Sequence, residues 1–224
     1  MLAISSFRDA RAIRLIAVVF GLSLCIASCS VTPAKNDQAA TSLQDGRTET
    51  LSNEATKPSS IRQTDSHGRP LPFRTTFPNR WSELNDGTTY EPCTALTSEA
   101  LTALGVNPRS ATDVAMANYQ TARGCTWEFT DSRTSTLSQI VGKKTDLLSY
   151  KASNSDIINW FPDSEIAQRT VLVGTLKRQN NCTASVSSGS SVVTTSVTAT
   201  NTPTAQLCEV ATSFIRATID KMPP

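Results

Sequence analysis

Cysteine is the residue type best placed for chemistry in this 224-residue sequence, with six copies, while histidine occurs once, at His67. Four of the cysteines, Cys93, Cys125, Cys182 and Cys208, lie in the C-terminal two thirds of the chain. No two of them have the short spacing of a zinc site or of a Cys-x-x-Cys redox pair. An even number of well-separated thiols is instead what an oxidising compartment turns into disulfides. Three pairings are possible. The favoured one joins Cys93 to Cys125 and Cys182 to Cys208, tying a short helix to a strand and a hairpin to the last helix. Each loop of roughly 30 residues is then worth roughly 3.5 kcal/mol in the chain-entropy model.

Cys29 calls for different chemistry. Arg8, Arg11 and Arg14 precede an apolar run over residues 15–24, about ten residues and too short to span a bilayer of roughly 30 Å. Ile26, Ala27, Ser28 and Cys29 then resemble the bacterial lipobox: an aliphatic residue, two small ones and a cysteine. The small residues admit a peptidase to the bond before Cys29, whose sulfur accepts a diacylglyceryl group through a thioether. Cys25 has the bulky Leu24 before it and fits less well. The expectation is a signal peptide over 1–28 and a palmitate-type lipid anchor on Cys29. The domain then sits on the outer face of the cell membrane, held by acyl chains worth roughly 0.8 kcal/mol per buried CH₂.

Charge and composition narrow the function classes. Removing Arg8, Arg11, Arg14 and Asp9 with the signal leaves 18 basic and 18 acidic side chains. A neutral domain has no basic footprint for nucleic acid. His67 falls in a polar stretch over 30–69, read as a disordered tether because it cannot bury enough apolar surface to offset its ordering entropy. A histidine-dependent hydrolytic triad is therefore not expected. There is no Gly-x-Ser-x-Gly, no His-Glu-x-x-His and no phosphate-binding glycine loop. Asp163, Glu165 and Asp156 are the carboxylates closest to an acid–base set. Lys143-Lys144 and Lys177-Arg178 read as solvated spots. Trp160 and Phe161, beside Pro162, form a candidate contact patch, whereas Trp127, Phe129 and Phe214 read as core.

The elements that must position these residues fill about 150 residues after the tether, enough for one cored domain. Pro70, Pro72 and Pro78 mark an extended lead-in, with Trp81 its first core contact, and Asp86-Gly87 signals a turn. Thr97 as N-cap, Glu99 in the first turn and Gly105 as stop define a short Leu-rich helix. Cys125, Trp127 and Phe129 alternate with polar residues over 124–130, which is a half-buried strand. Further strands are expected at 136–141 and 170–176. A hairpin at 182–187 and 191–198 turns at Ser188-Gly189 and has one wet Ser/Thr face. Residues 146–161 read as helical turns. Leu207, Val210, Ala211, Phe214, Ile215, Ile219 and Met222 make one stripe of a helix about 18 residues long, led by Thr202 and Pro203. The expected fold is α+β: an antiparallel sheet of about five strands packed against the long C-terminal helix and the short Leu-rich one, over residues 70–224.

With Glu91-Pro92-Cys93 leading into Leu96–Gly105, then Cys125-Thr126-Trp127, then Cys182 and Cys208, the chain resembles a family of actinobacterial cell-envelope lipoproteins of unknown function. That family carries Asp where Glu91 stands here, a change expected to matter little in a helix-entry turn. The resemblance implies an envelope location and this architecture, and brings no reaction with it. The function expected is a membrane-anchored, non-enzymatic binding or accessory module without a cofactor or bound metal. Its partners would be the membrane, through the lipid on Cys29, and an envelope protein or small apolar ligand. A carboxylate-dependent hydrolase or transferase, and a small lipid carrier, are the alternatives.

Overall fold

Antiparallel pairing organises the chain, and a computed structural model describes residues 61–224. The signal over 1–28, the lipobox Ile26, Ala27 and Ser28, Cys29 and the tether as far as residue 60 lie outside the described residues. The eight strands are β1 (Thr112–Asp113), β2 (Arg123–Phe129), β3 (Ser132–Lys144), β4 (Ile158–Trp160), β5 (Ser164–Ile166), β6 (Arg169–Leu176), β7 (Asn181–Ser188) and β8 (Ser191–Thr198). The helices are α1 (Ser98–Ala103), α2 (Leu147–Ser153) and α3 (Thr204–Thr218). The sheet runs β1-β2-β3-β8-β7-β6-β4, and β5 also pairs with β6. The expected antiparallel sheet and C-terminal helix are present, but the sheet has eight strands where about five were expected, and the domain is mostly sheet.

The side-chain alternation read from the sequence builds the core. Cys125 and Trp127 on β2, Leu137 and Val141 on β3, Val193 and Val197 on β8, and Cys182, Ala184 and Val186 on β7 bury one face of the sheet. Against them lies the α3 stripe, with Leu207, Ala211, Phe214, Ile215, Ile219 and Met222 all buried. Val210 is partly buried. α3 begins two residues later than Thr202, and a 3-10 turn (Ile219–Lys221) continues the stripe. Arg169, at the start of β6, donates to the carbonyls of Ile219 (3.0 Å), Met222 (3.1 Å), Pro223 (3.2 Å) and Ser187, so a cation caps the carbonyl end of that stripe. On α1, Thr97 caps through the Ala100 amide at 3.3 Å, and Gly105 follows at φ +76°, as the stop signal required.

Three segments depart from the sequence reading, each for a local reason. The helix expected across 146–161 ends at Ser153, because the β-branched and aromatic Ile158 and Trp160 suit a strand and form β4 along β6. Both Thr183 and Ser185 on the Ser/Thr face of the β7–β8 hairpin are buried, since Tyr150 of α2 covers that side and accepts a hydrogen bond from Thr194 at 3.2 Å. That hairpin pairs Ser188 with Ser191, so Gly189 and Ser190 form its turn. Structure also begins before Pro70. Asp65 has a fully buried carboxylate that accepts from Thr94 at 2.6 Å, from the His67 and Arg69 amides at 2.8 and 2.9 Å, and pairs with Arg69 Nε at 2.6 Å. Burial opposes its ionisation, yet these donors outweigh burial and bring its pKa to about 2.

The β5–β6 hairpin turns on two residues, Ala167 and Gln168, between the paired Ile166 and Arg169. Both have positive φ, +49° and +62°, which suits a type I′ turn but costs a residue with a Cβ roughly 1–2 kcal/mol. Their side chains are exposed and constrain nothing. Replacing Ala167→Asn and Gln168→Gly together is expected to raise stability by about 1–2 kcal/mol and the thermal midpoint by about 2–8 °C. Calorimetry showing no gain would contradict the turn geometry.

Candidate functional site

Four chain segments meet at one end of the sheet and leave a groove of about 410 Å³ between them. The α1 side is held at Gly105, whose carbonyl accepts from the Thr130 amide (2.9 Å) and hydroxyl (3.1 Å), so the β2–β3 turn is tied to the helix end. The opposite wall is the β8–α3 connection. Asn180 sets its path by donating to the carbonyls of Ala199 (2.7 Å) and Thr202 (2.9 Å). Leu104, Phe129, Val197, Leu207 and Val210 supply apolar lining, while Ser132, Thr134, Asn201 and Gln206 supply hydroxyl and amide groups. Asp131 is the one carboxylate on the wall. Disulfides brace both sides: Cys93–Cys125 joins the Pro92–Thr94 turn to β2, and Cys182–Cys208 joins β7 to α3. Both pairings are the favoured ones.

Such a lining can shelter an apolar group and offer hydrogen bonds to an uncharged polar end. Acid–base glycoside chemistry would need two carboxyl groups about 5–9 Å apart across a cleft, and the groove wall carries one. Asp163, instead, pairs with Lys151 at 2.6 Å. Both Glu165 and Asp156 are exposed, and Asp156 borders a different depression with Ile157 and Lys177. His67 is exposed beside Asp220 and Lys221, away from the groove. Lys144 pairs with Asp86 at 2.7 Å, and Lys177 Nζ donates to the Ser155 carbonyl at 3.0 Å.

Trp160 and Phe161 do not form one patch. Neighbouring residues of an extended strand point to opposite faces. Trp160 turns towards α2, donating to the Lys151 carbonyl at 3.1 Å with its ring edge-on to Tyr150 at 6.2 Å, whereas Phe161 is exposed. Trp127 and Phe214 pack together in the core, centroids 5.8 Å apart, as their pattern implied.

At the Arg123 end of β2, the end away from the groove, lies a charged cluster that the sequence reading missed. Glu91, read only as part of a turn, is buried and shared by two buried arginines. Its carboxylate meets Arg80 at 2.8 Å and Arg123 at 3.1 Å, and it also accepts from the Cys93 amide at 3.3 Å. Arg80 Nε adds Asp113 at 2.9 Å. Arg123 donates to the carbonyls of Tyr90 (2.7 Å) and Thr88 (2.8 Å). Burial works against charge on Arg80, but Glu91 and Asp113 outweigh it and raise its pKa; on Arg123 burial prevails and lowers it. Next door, Tyr90 donates to Gln139 Oε1 at 2.6 Å, and Gln139 Nε2 donates to Thr195 and Thr218 at 3.0 and 3.1 Å. Burial pushes the Tyr90 hydroxyl far above the usual phenol range. Every charge here is answered, so the cluster is a clamp and offers no reacting group. Arg80 and Glu91 lie on irregular segments without period, Asp113 and Arg123 stand at strand ends, and the visible signal was the acid before Pro92-Cys93.

Fold and groove together define a disulfide-braced α+β domain, mostly antiparallel sheet, with an apolar-lined recess at one end. The chain belongs to the family described as "Protein of unknown function (DUF3558)", whose model matches residues 24–221. No curated protein matches it.

Removing one partner of a buried ion cluster strands the others. Glu91→Ala is expected to lose about 3–5 kcal/mol, read from denaturant unfolding. A loss below about 1 kcal/mol, the scale of an exposed pair, would show the cluster to be solvated.

Proposed function

We propose that this protein is a lipid-anchored, extracytoplasmic and non-enzymatic binding module of the cell envelope, with the groove beside α3 as its ligand site. The ligand class is a small or segmental apolar group bearing an uncharged hydroxyl- or amide-type end. One observation carries the reading: the groove pairs the apolar Leu104, Phe129, Leu207 and Val210 with hydroxyl and amide side chains and a single carboxylate. That suits retention of a molecule more than its cleavage.

Anchoring rests on the sequence around Cys29: a basic start, a short apolar run, then Ile26-Ala27-Ser28-Cys29. The family match begins at residue 24 and so includes this cysteine. Two disulfides in the described domain suit an oxidising compartment. Among the described residues no helix is long and apolar enough to cross a membrane. The actinobacterial envelope is the setting implied by the resemblance.

Val210 borders the groove and is partly buried, so Val210→Arg fills the recess without emptying the core. A soluble form lacking the first 29 residues is expected to bind the apolar dye Nile red at one saturable site. Val210→Arg is expected to weaken that binding about tenfold or more, about 1.4 kcal/mol, with little change in thermal midpoint. Equal dye affinity in both proteins would refute the groove as the site.

A further inference from the structure

Two hydrogen-bonded loops carry large apolar side chains into solvent with no role in the core or the groove. Residues 79–85 and 114–122 are joined by the Tyr119 amide to the Asn79 carbonyl (3.2 Å), the Asn79 amide to Asn118 Oδ1 (2.8 Å) and Asn85 Nδ2 to the Gln120 carbonyl (2.8 Å). Met116 is 83% exposed, Tyr119 60% and Leu84 41%, the first two well above what packing would leave. Tyr119 also has φ +56°, a conformation that disfavours a side chain with a Cβ. Met116 is pinned by its amide on Gln120 Oε1 at 2.9 Å. An ordered, strained loop that displays Met and Tyr is built for a contact outside the domain.

The place where the chain enters says which contact. Arg62, the second described residue, lies over the Trp81 ring at 4.3 Å, and Trp81 sits on the loop that carries Leu84. The described chain therefore begins beside the loop that carries Leu84. A lipid on Cys29, 33 residues before Arg62 in the sequence, would keep the domain's entry point within reach of a bilayer.

We infer that Leu84, Met116 and Tyr119 form a membrane-contact face that docks the tethered domain on the bilayer surface. This rests on the lipid anchor proposed above. A tyrosine ring suits the headgroup level, and methionine and leucine suit the acyl boundary beneath it. Exposed Arg62 and Arg74 are set against exposed Glu83, since Asp86 pairs with Lys144, so the charge excess is small and the contact rests on the apolar side chains. Three such side chains are too few to hold a free domain on a membrane. A domain already concentrated there by its tether needs only to be oriented.

The test uses the mature lipidated protein, with Met116→Trp, reconstituted in vesicles of phosphatidylethanolamine and phosphatidylglycerol with or without dibrominated acyl chains. Residue 116 is exposed, so folding should survive, and unchanged circular dichroism confirms that. The expected result is co-flotation with the vesicles, blue-shifted emission from the new tryptophan and about twofold or greater quenching by bromine relative to wild type, reversed by adding Leu84→Ser and Tyr119→Ser. Co-flotation without added quenching would overturn the docking face while leaving the anchor standing, and would assign the patch to a protein partner or to none. Failure to float would overturn both.

Discussion

A single carboxylate in the protein interior sets the constraint on which much else depends. Two guanidinium groups, on Arg80 and Arg123, are buried almost completely, and neither could stay charged there without Glu91 between them. The next two residues turn the chain through Pro92 to Cys93, whose disulfide reaches β2 two residues beyond Arg123. Charge pairing and covalent bond therefore act on the same short stretch. They fix the lead-in loops to the edge of the sheet, and Gly124, at φ +154°, leaves no room for a Cβ there because it would run into the Gln139 carbonyl oxygen. Arg80 also donates to the Gly124 carbonyl at 3.3 Å, which fastens the loops to the strand at its tightest point.

From that fixed edge the rest follows in layers. β2 pairs with β3, β3 with β8 and β8 with β7, and the second disulfide then carries the position of β7 into α3. The recess beside α3 is thus bounded by elements each within one covalent or ladder step of a disulfide. A binding site on such a frame loses little conformational freedom when filled, which favours retention. A balanced charge count after residue 28, two disulfides and a lipobox-like N-terminus are the features from which a role outside the cytoplasm at a membrane is proposed.

How much of this was legible in the sequence depended on whether a local pattern carried the element. Thr97, Glu99 and Gly105 spelled out α1 through capping chemistry, Cys125-Trp127-Phe129 spelled out β2 through alternation, and the stripe from Leu207 to Met222 spelled out α3. Of the three possible disulfide pairings, the preferred one is the one present. Strands β1, β4 and β5, of two or three residues each, are too short to show a period. The β5–β6 turn was hidden further because Ala167-Gln168 replaces the usual Asn-Gly signal. Glu91, Arg80, Arg123 and Asp113 come together only through tertiary folding, so nothing local distinguishes them from solvated charges. The groove was invisible for the same reason: Gly105, Asp131, Asn201 and Gln206 belong to four segments that meet only in three dimensions. Trp160 and Phe161 show the converse, since adjacency in sequence suggested a joint patch that the strand separates.

The claim on which the functional account rests is that the mature protein begins at an acylated Cys29 and carries two closed disulfides. Intact-mass and peptide mass spectrometry of the protein purified from its own membranes, without reductant, measures both at once. The account requires an N-terminal peptide starting at Cys29 with a diacylglyceryl thioether, and cross-linked peptides joining Cys93 to Cys125 and Cys182 to Cys208. An unmodified Cys29, a retained signal segment or free thiols at those four positions would contradict it.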